Sequence, residues 1–156
     1  MAIIEKRLNE LGITLPPPYT PVANYVSVKK CGNVLYISGT GPIIEGRAVY
    51  TGKVGVDISK EEGYQAARIT ALNILSTLKH ELGDLDRVES IISVQGFVSC
   101  NDCFFEHPYV INGASDLLVE VFGEAGKHAR IALGANVLPF NIPVEILMIV
   151  QIKEQL

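Results

Sequence analysis

The residues with the clearest chemical potential are Arg130 and Glu145, which stand fifteen positions apart in HARIALGANVLPFNIPVE. Both fall in runs that otherwise read as β-strands with core residues. A guanidinium is always charged and forms a planar fork that matches a carboxylate, so an arginine on such a strand needs an anionic partner. The partner is either Glu145, in an ion pair within the chain, or the carboxylate of a ligand while Glu145 positions water. Residue types alone leave both interpretations open.

The cysteines and histidines give a weaker signal. Cys100 and Cys103 form a C-x-x-C that follows a predicted strand, whereas redox pairs normally lie at a helix N-terminus, and no further pair completes four zinc ligands. We therefore interpret the cysteines as thiols and predict no metal site. The three histidines lie in separate segments, which favours surface or capping roles: His80, His107 and His128.

Length and charge bound the class of protein. A chain of 156 residues with 48% hydrophobic and 19% charged residues fits one compact domain with a sizeable core. A net charge of −4 gives no basic surface for nucleic acid, whose binding depends on Lys and Arg. The opening MAIIEKRLNELGIT contains no long apolar run, so we expect neither a secretory signal nor a membrane span, and predict a cytoplasmic protein.

Hydrophobic spacing and turn residues predict the secondary structure. We expect a first helix from Ile3 to Leu11, then an extended proline-rich segment and a hairpin that turns at Gly32 and Asn33 with positive φ at both. A glycine-rich stretch that follows the hairpin is of the kind that lines sites. We then predict a helix from the capping box at Ser59 to Gly83, followed by a strand over Val88–Ser99 that bends or bulges at Gly96. The last predicted elements are a helix from Pro108 to Gly123 and a closing hairpin of strands Arg130–Val137 and Val144–Ile152.

The order hairpin, helix, strand, helix, hairpin predicts an α+β fold. Both long helices should lie on one face of a mixed sheet. The other face then needs cover, and a second subunit in a closed ring would supply it.

From Asn24 to Gln151 the sequence resembles the RidA family, also called the YjgF/YER057c/UK114 family. The resemblance is carried by LYISGTGPI, in the place of that family's V-x-x-SGQ-x-P, by the VQGFVS strand, and by Asn112 in the second long helix. Tyr25 precedes the SG pair by the family's interval, and Arg130 precedes the glutamate of L-P-x-x-x-x-VE by the family's fifteen positions.

The resemblance implies a chorismate-mutase-like mixed sheet with two long helices on one face, assembled as a homotrimer with a central barrel. It implies a single domain over residues 1–156, in which 1–23 form an N-terminal extension and 24–156 form the core. The implied activity is hydrolysis of reactive 2-imino or enamine acids to 2-oxo acids and ammonia, in a cleft between subunits and without metal or organic cofactor. The implied partner is a small carboxylate-bearing metabolite.

Site roles follow from the same resemblance. Arg130 would bind the substrate carboxylate, Glu145 would orient water or a distal substrate group, and the backbone of Gly39 would contact the imine end. Tyr25 of the neighbouring subunit would form part of the pocket wall. Further substrate-binding positions are Ser38, Thr40, Asn112 and Ala132.

The sequence departs from the family pattern at three places. Ala132 replaces a cysteine of many deaminase members, Thr40 replaces the usual glutamine, and His128-Ala129 replaces proline-alanine. These departures affect pocket size and substrate. Two other functions stay open: a non-catalytic trimer that binds small carboxylates as a sensor, and the endoribonuclease or translation-inhibitor activity with which some members are labelled.

Overall fold

A five-stranded sheet in the order β1-β2-β7-β5-β6 forms the frame of the molecule. The computed structural model describes residues 2–154, and over that range the chain forms three α-helices and seven β-strands. They are α1 (Ile3–Glu10), β1 (Val28–Cys31), β2 (Val34–Thr40), β3 (Ile43–Ile44), β4 (Arg47–Ala48), α2 (Lys60–Leu82), β5 (Val88–Ser99), α3 (His107–Phe122), β6 (Ala129–Ala135) and β7 (Val144–Ile152). All neighbours in the large sheet are antiparallel except β5 and β6, which run parallel. The α+β class and the mixed sheet are therefore confirmed.

Local signals placed most of the elements correctly. Ser59 accepts a hydrogen bond from the Glu62 amide and Glu62 reaches back to the Ser59 amide, so the capping box starts α2 as its sequence predicts. Gly83, with φ of 74°, ends that helix. Gly32 takes a positive φ in the β1–β2 turn, but Asn33 does not, because a turn with glycine at its first central position needs only one such residue.

The expected closing hairpin is wrong. β6 pairs with β5, and β7 pairs with β5 and β2, so β5 lies between the two last strands. The turn residues of LPFNIP do reverse the chain, yet they carry it across β5 instead of into an adjacent strand. β6 also ends at Ala135, two residues before the predicted end.

The expected bend at Gly96 is wrong as well. Gly96 stays in register with Ala132 and Ile146, whereas the irregularities of β5 lie between 88 and 90 and between 91 and 93. A Cβ on Gly96 would lie 2.5 Å from the Cδ1 of Ile111. Glycine is needed here because the Ile111 side chain of α3 packs directly on the strand backbone.

The two long helices cover one face of the sheet and approach each other closely. A Cβ on Gly113 of α3 would lie 2.0 Å from the carbonyl oxygen of Tyr64 on α2. The small residue therefore lets the two helix backbones touch. Buried Leu75, Leu78 and Leu118 belong to the core between the helices and the sheet.

The strands expose large apolar side chains away from the helices. Burial alternates along β7, where even-numbered residues are buried and Leu147 is 36% exposed. Large apolar side chains on the other strands of the sheet are also exposed: Tyr36, Ile92, Ile131 and Leu133. A monomer rarely leaves such a patch open, so this face is suited to another subunit.

The segment between α1 and β1, residues 12–27, is called the lead-in here. α1 is held where the carboxylate of Asp86 accepts hydrogen bonds from the amides of Ile3 and Ile4, each at 2.7 Å. Ser76 of α2 donates to the carbonyl of Pro16 at 2.5 Å. The lead-in is thus fixed before it reaches the end of β2. No helix in the described range 2–154 has the length and apolarity to cross a membrane.

Candidate active site

Glu145 lies in the wall of a cavity of about 150 Å³ at the end of β2. The lead-in, the β2–β3 turn, α2 and the segment before β7 all contribute to it. Its lining residues are Tyr19, Tyr25, Gly39, Thr40, Gly41, Ile43, Asn73, Pro139, Phe140, Ile142 and Glu145.

The Glu145 carboxyl group is half-buried and has no hydrogen-bond donor among residues 2–154. Burial raises its pKa, because the ionised form loses water and gains no compensating contact. A raised pKa makes a carboxyl group better suited to proton transfer. Its free oxygens are available to a water or a ligand in the cavity.

Gly39 allows Glu145 to adopt this position. A Cβ on Gly39 would lie 2.5 Å from Oε1 of Glu145, so any side chain at that position would displace the carboxyl group. The carboxyl group therefore lies over the bare backbone of β2, where Gly39 is exposed.

Asn73 fixes the rim of the cavity. This residue of α2 is 4% exposed, and its Nδ2 donates to the carbonyls of Gly41 and Ile43 at 2.9 and 2.8 Å. Thr40 donates to the carbonyl of Ser38 at 2.9 Å, and Ser38 donates to that of Val26 at 2.7 Å. These polar side chains thus hold the backbone of the turn. Ser38 does not line this cavity.

Arg130 lies on the edge strand β6 and points toward α3. Its Nη1 donates to Oδ1 of Asn112 at 2.7 Å and to Oγ of Ser115 at 3.1 Å. Both acceptors are neutral, and no carboxylate within residues 2–154 forms a salt bridge with Arg130. The guanidinium is exposed and keeps its other N–H groups for an external anion.

A chain of hydrogen bonds supports this arginine from behind. Nδ1 of His128 is 2.7 Å from the carbonyl of Gly126, and Nε2 is 2.9 Å from Oγ of Ser115. Because a carbonyl only accepts, Nδ1 donates to it, and in the neutral ring Nε2 then accepts from the Ser115 hydroxyl. That leaves Ser115 Oγ to accept from Arg130.

The predicted site residues form two groups within one chain. We call Tyr25, Gly39, Thr40 and Glu145, which line the cavity, the glutamate half-site. Arg130, Asn112 and Ser115 form the arginine half-site, and Ala132 lies two residues along β6 from Arg130.

The interpretation of an ion pair between Arg130 and Glu145 within the chain is wrong. Arg130 pairs with Val94 and Glu145 pairs with Phe97, so β5 and three residues of offset separate them. Tyr25 lines the same cavity as Glu145 in the same chain.

Several residues that contribute to the two half-sites were not predicted from the sequence. Asn73 carried a usable signal, since it is a polar residue next to the buried stripe of α2. Phe140 stands in a short proline-flanked turn, where an aromatic residue is unusual. Tyr19 and Ser115 gave no signal, because only the fold brings them to the site.

The cysteines lie apart from both half-sites. Cys100 is buried with its Sγ 3.3 Å from Nε2 of His107, and Cys103 is exposed. Burial raises the pKa of Cys100. In the described part of the chain, no cluster of three His, Cys, Asp or Glu side chains could hold a metal ion.

Comparison with known families identifies the fold. Residues 5–152 match the family described as "YjgF/chorismate mutase-like, putative endoribonuclease". The chain belongs to this family. The sequence resemblance to the RidA proteins is thereby confirmed.

Similar proteins cover nearly the whole chain. Protein TCP17 of Trypanosoma cruzi is 41% identical over 151 residues, which are 96% of this chain and 94% of that protein. A solved structure of a protein of unknown function from Agrobacterium tumefaciens is 46% identical, covers 97% of this chain and 93% of its own, and superposes with a TM-score of 0.90. A Shewanella oneidensis structure described as a "putative endoribonuclease" is 35% identical, with 96% and 99% coverage and a TM-score of 0.92. None of these descriptions names a substrate.

Proposed function

We propose that this family member hydrolyses reactive 2-imino acids, or their enamine tautomers, to 2-oxo acids and ammonia. The active site is formed between subunits of a homotrimer, where the arginine half-site of one subunit meets the glutamate half-site of the next. The observation that carries the proposal is that two groups of opposite charge type, Arg130 and Glu145, both lack a charged partner among residues 2–154 of their own chain. Each is therefore available to the same small zwitterionic ligand.

The chemistry requires little beyond positioning. A protonated imine is already electrophilic, so water adds to its carbon and ammonia leaves from the resulting carbinolamine. Arg130 binds the substrate carboxylate through its free N–H groups. Glu145, with its raised pKa, takes a proton from the attacking water and returns one to the leaving nitrogen. Holding water and substrate together supplies most of the rate.

The exposed sheet face supports the trimer. Its apolar side chains on four neighbouring strands would be buried if three sheets met around an axis: Tyr36, Ile92, Ile131, Leu133 and Leu147. Closure into a ring also brings the edge of one subunit to the next. Analytical ultracentrifugation should then give a mass of three chains.

The activity is testable with imines generated in situ by an amino-acid oxidase. Semicarbazide traps the imine that has not been hydrolysed, so an active enzyme lowers semicarbazone formation and speeds ammonia release. Wild type should accelerate hydrolysis and Arg130→Ala should not. Arg68→Ala is the matched control, because Arg68 already pairs with Glu120 at 3.2 Å away from both half-sites.

Co-expression of two inactive variants tests the shared site. Subunits with Arg130→Ala retain Glu145, and subunits with Glu145→Gln retain Arg130. Random mixing at equal levels gives each interface about a one-in-four chance of holding both native residues, so about a quarter of wild-type activity should return. Absence of recovery in mixed trimers would place the whole site within one chain and refute the shared cleft.

A carboxylate sensor is favoured by the same exposed arginine if catalysis is absent. In that case 2-oxo acids would raise the melting temperature of wild type but not of Arg130→Ala, without any acceleration. Cleavage of RNA by wild type and not by Arg130→Ala would instead favour the endoribonuclease description of the family. The net charge of −4 argues against that outcome.

A further inference from the structure

Resting on the proposed function, we infer that the preferred substrates carry a large, uncharged, apolar side chain, such as the isobutyl or benzyl group of leucine- or phenylalanine-derived imino acids. The residues that would contact this substrate side chain are Tyr19, Ile43, Phe140 and Ile142. Small and acidic imino acids are disfavoured.

The size of the cavity is the first argument. No lysine or arginine within residues 2–154 lines the cavity, and in the proposed trimer Arg130 reaches it from the neighbouring subunit, so the substrate carboxylate would lie at the cavity mouth. The reacting carbon must stay within reach of Glu145 and Gly39 at the wall. The remaining space is therefore left to the substrate side chain. An apolar cavity of roughly 150 Å³ is large enough to hold benzene, far more than a methyl group needs.

The chemistry of the wall is the second argument. Ile43, Phe140 and Ile142 contribute apolar surface, and the N–H groups of Asn73 are already bound to backbone carbonyls. Tyr19 and Tyr25 both line the cavity, and hydrogen bonding with the Tyr25 phenol raises the pKa of Tyr19. A polar side chain would find few free donors here.

Charge gives the third argument. Among residues 2–154, no lysine or arginine lines the cavity, and Glu145 is the one carboxyl group in its wall. A second carboxylate on the substrate would therefore lose water without gaining a cationic partner, and it would face Glu145. Imino acids derived from aspartate and glutamate are excluded on these grounds.

The backbone around Phe140 indicates that its position is imposed by the fold. Phe140 and Asn141 both have positive φ, at 57° and 56°, which non-glycine residues rarely adopt. The carbonyl of Asn141 accepts a hydrogen bond from the Gly52 amide at 2.8 Å, which holds the turn. Phe140 remains 73% exposed, so its ring is available to contact a substrate side chain. Strained residues of this kind concentrate at ligand sites.

The test compares kcat/KM for imines generated in situ from leucine, phenylalanine, alanine and aspartate by suitable oxidases. We expect the leucine and phenylalanine imines to be hydrolysed roughly 10- to 100-fold more efficiently than the alanine imine, because an additional apolar group is buried. The aspartate imine should show no acceleration. Equal efficiency for all four would overturn the size inference and leave the hydrolase proposal intact, whereas no acceleration of any imine would overturn both.

Two variants locate the preference. Ile43→Trp should fill the cavity and reverse the preference toward the alanine imine, and Phe140→Ala should reduce the ratio between leucine and alanine imines at least threefold. Phe105→Ala is the matched control, since Phe105 is 79% exposed and lies outside the cavity. If Ile43→Trp does not fold, the ratio in Phe140→Ala decides alone. An unchanged ratio in a folded Phe140→Ala, or an equal drop in the control, would refute these residues as the selectivity wall.

Discussion

The two half-sites hold their charged groups in opposite ways. Arg130 is exposed and is positioned by hydrogen bonds to the neutral oxygens of Asn112 and Ser115. Glu145 is half-buried, has no hydrogen-bond donor among residues 2–154, and is positioned by the bare backbone of Gly39. Hydrogen bonds therefore position the Arg130 guanidinium, whereas the space left by the missing side chain of Gly39 positions the Glu145 carboxyl group.

This difference matches two different tasks. A guanidinium that keeps its charge and geometry binds a carboxylate equally well before and after reaction. A carboxyl group without hydrogen bonds has a raised pKa and exchanges protons more readily. The comparison teaches that binding and proton transfer can be assigned to separate half-sites, each with the environment its task needs.

Removal of the glutamate carboxylate should have the largest effect. We expect Glu145→Gln to lower kcat by roughly 10²- to 10⁴-fold, the usual contribution of a general acid–base, with little change in KM. The in situ imine assay measures it. Glu89→Gln, an exposed glutamate on β5, is the control and should behave as wild type. A Glu145→Gln enzyme of normal activity would remove proton transfer from this residue.

Loss of the guanidinium fork should have the next largest effect. Arg130→Lys keeps the charge but cannot make two parallel hydrogen bonds, so we expect kcat/KM to fall about 10- to 100-fold, mostly through KM. Steady-state kinetics with a 2-imino acid separate the two parameters. If kcat alone fell, Arg130 would act on the reacting centre and not on carboxylate binding.

A single methyl group should disturb the glutamate half-site without unfolding the chain. The Cβ of Gly39→Ala would displace the Glu145 carboxyl group, which is the free end of a flexible side chain. We expect kcat to fall about tenfold, because a small misplacement of a catalytic group is costly, while the melting temperature stays within about 2 °C of wild type. A large loss of stability would show that Gly39 has a structural role.

Loss of the Ser115 hydroxyl, which helps to position Arg130, should have the smallest effect on activity. Ser115→Ala removes one acceptor of the guanidinium and the link to His128. A net hydrogen bond contributes about 0.5–1.5 kcal/mol, so KM should rise roughly two- to tenfold with kcat unchanged. Ser115→Thr keeps the hydroxyl and should restore KM. Failure of that rescue would point to packing and not to the hydrogen bond.

The raised pKa of Glu145 also predicts how stability depends on pH. The folded chain keeps this proton to a higher pH than the unfolded chain, so folding stability falls as pH rises above the ordinary glutamate value of about 4.3. Glu145→Gln should therefore melt at a higher temperature than wild type at pH 7, and the difference should vanish near pH 4. Thermal melts across that range test it, and a difference that persists at pH 4 would contradict burial as the cause.

Elements set by local chemistry were predictable from sequence. The Ser59 capping box, the Gly83 stop and the strand over Val88–Ser99 depend on neighbouring residues, and the structure confirms each of them. The partner of β6 was not predictable, since its turn residues indicate a reversal and say nothing about an intervening strand. Gly96 was misread because a glycine required by Ile111 of another element looks the same in sequence as a bulge.

The site residues also divide into those that a sequence pattern indicates and those that only the fold brings together. Family spacing identified Arg130, Glu145 and Gly39, but it could not reveal that one chain keeps the two charges apart. Tyr19 reaches the cavity only through the packing of the lead-in, and Ser115 reaches Arg130 only through the packing of α3 beside β6. Residues that act through distant chain segments carry no local pattern, so they emerge only once the fold is known.

The lead-in has one further consequence. It is fastened through α1 at Asp86 and through Pro16 at Ser76, yet it contributes no strand to the sheet. Residues between Pro16 and Val26, whose carbonyls accept hydrogen bonds from Ser76 and Ser38, can therefore be exchanged without altering strand register. A change near Tyr19 would retune which molecules are accepted while the reacting groups stay where they are, which makes this stretch a natural starting point for engineering new selectivity.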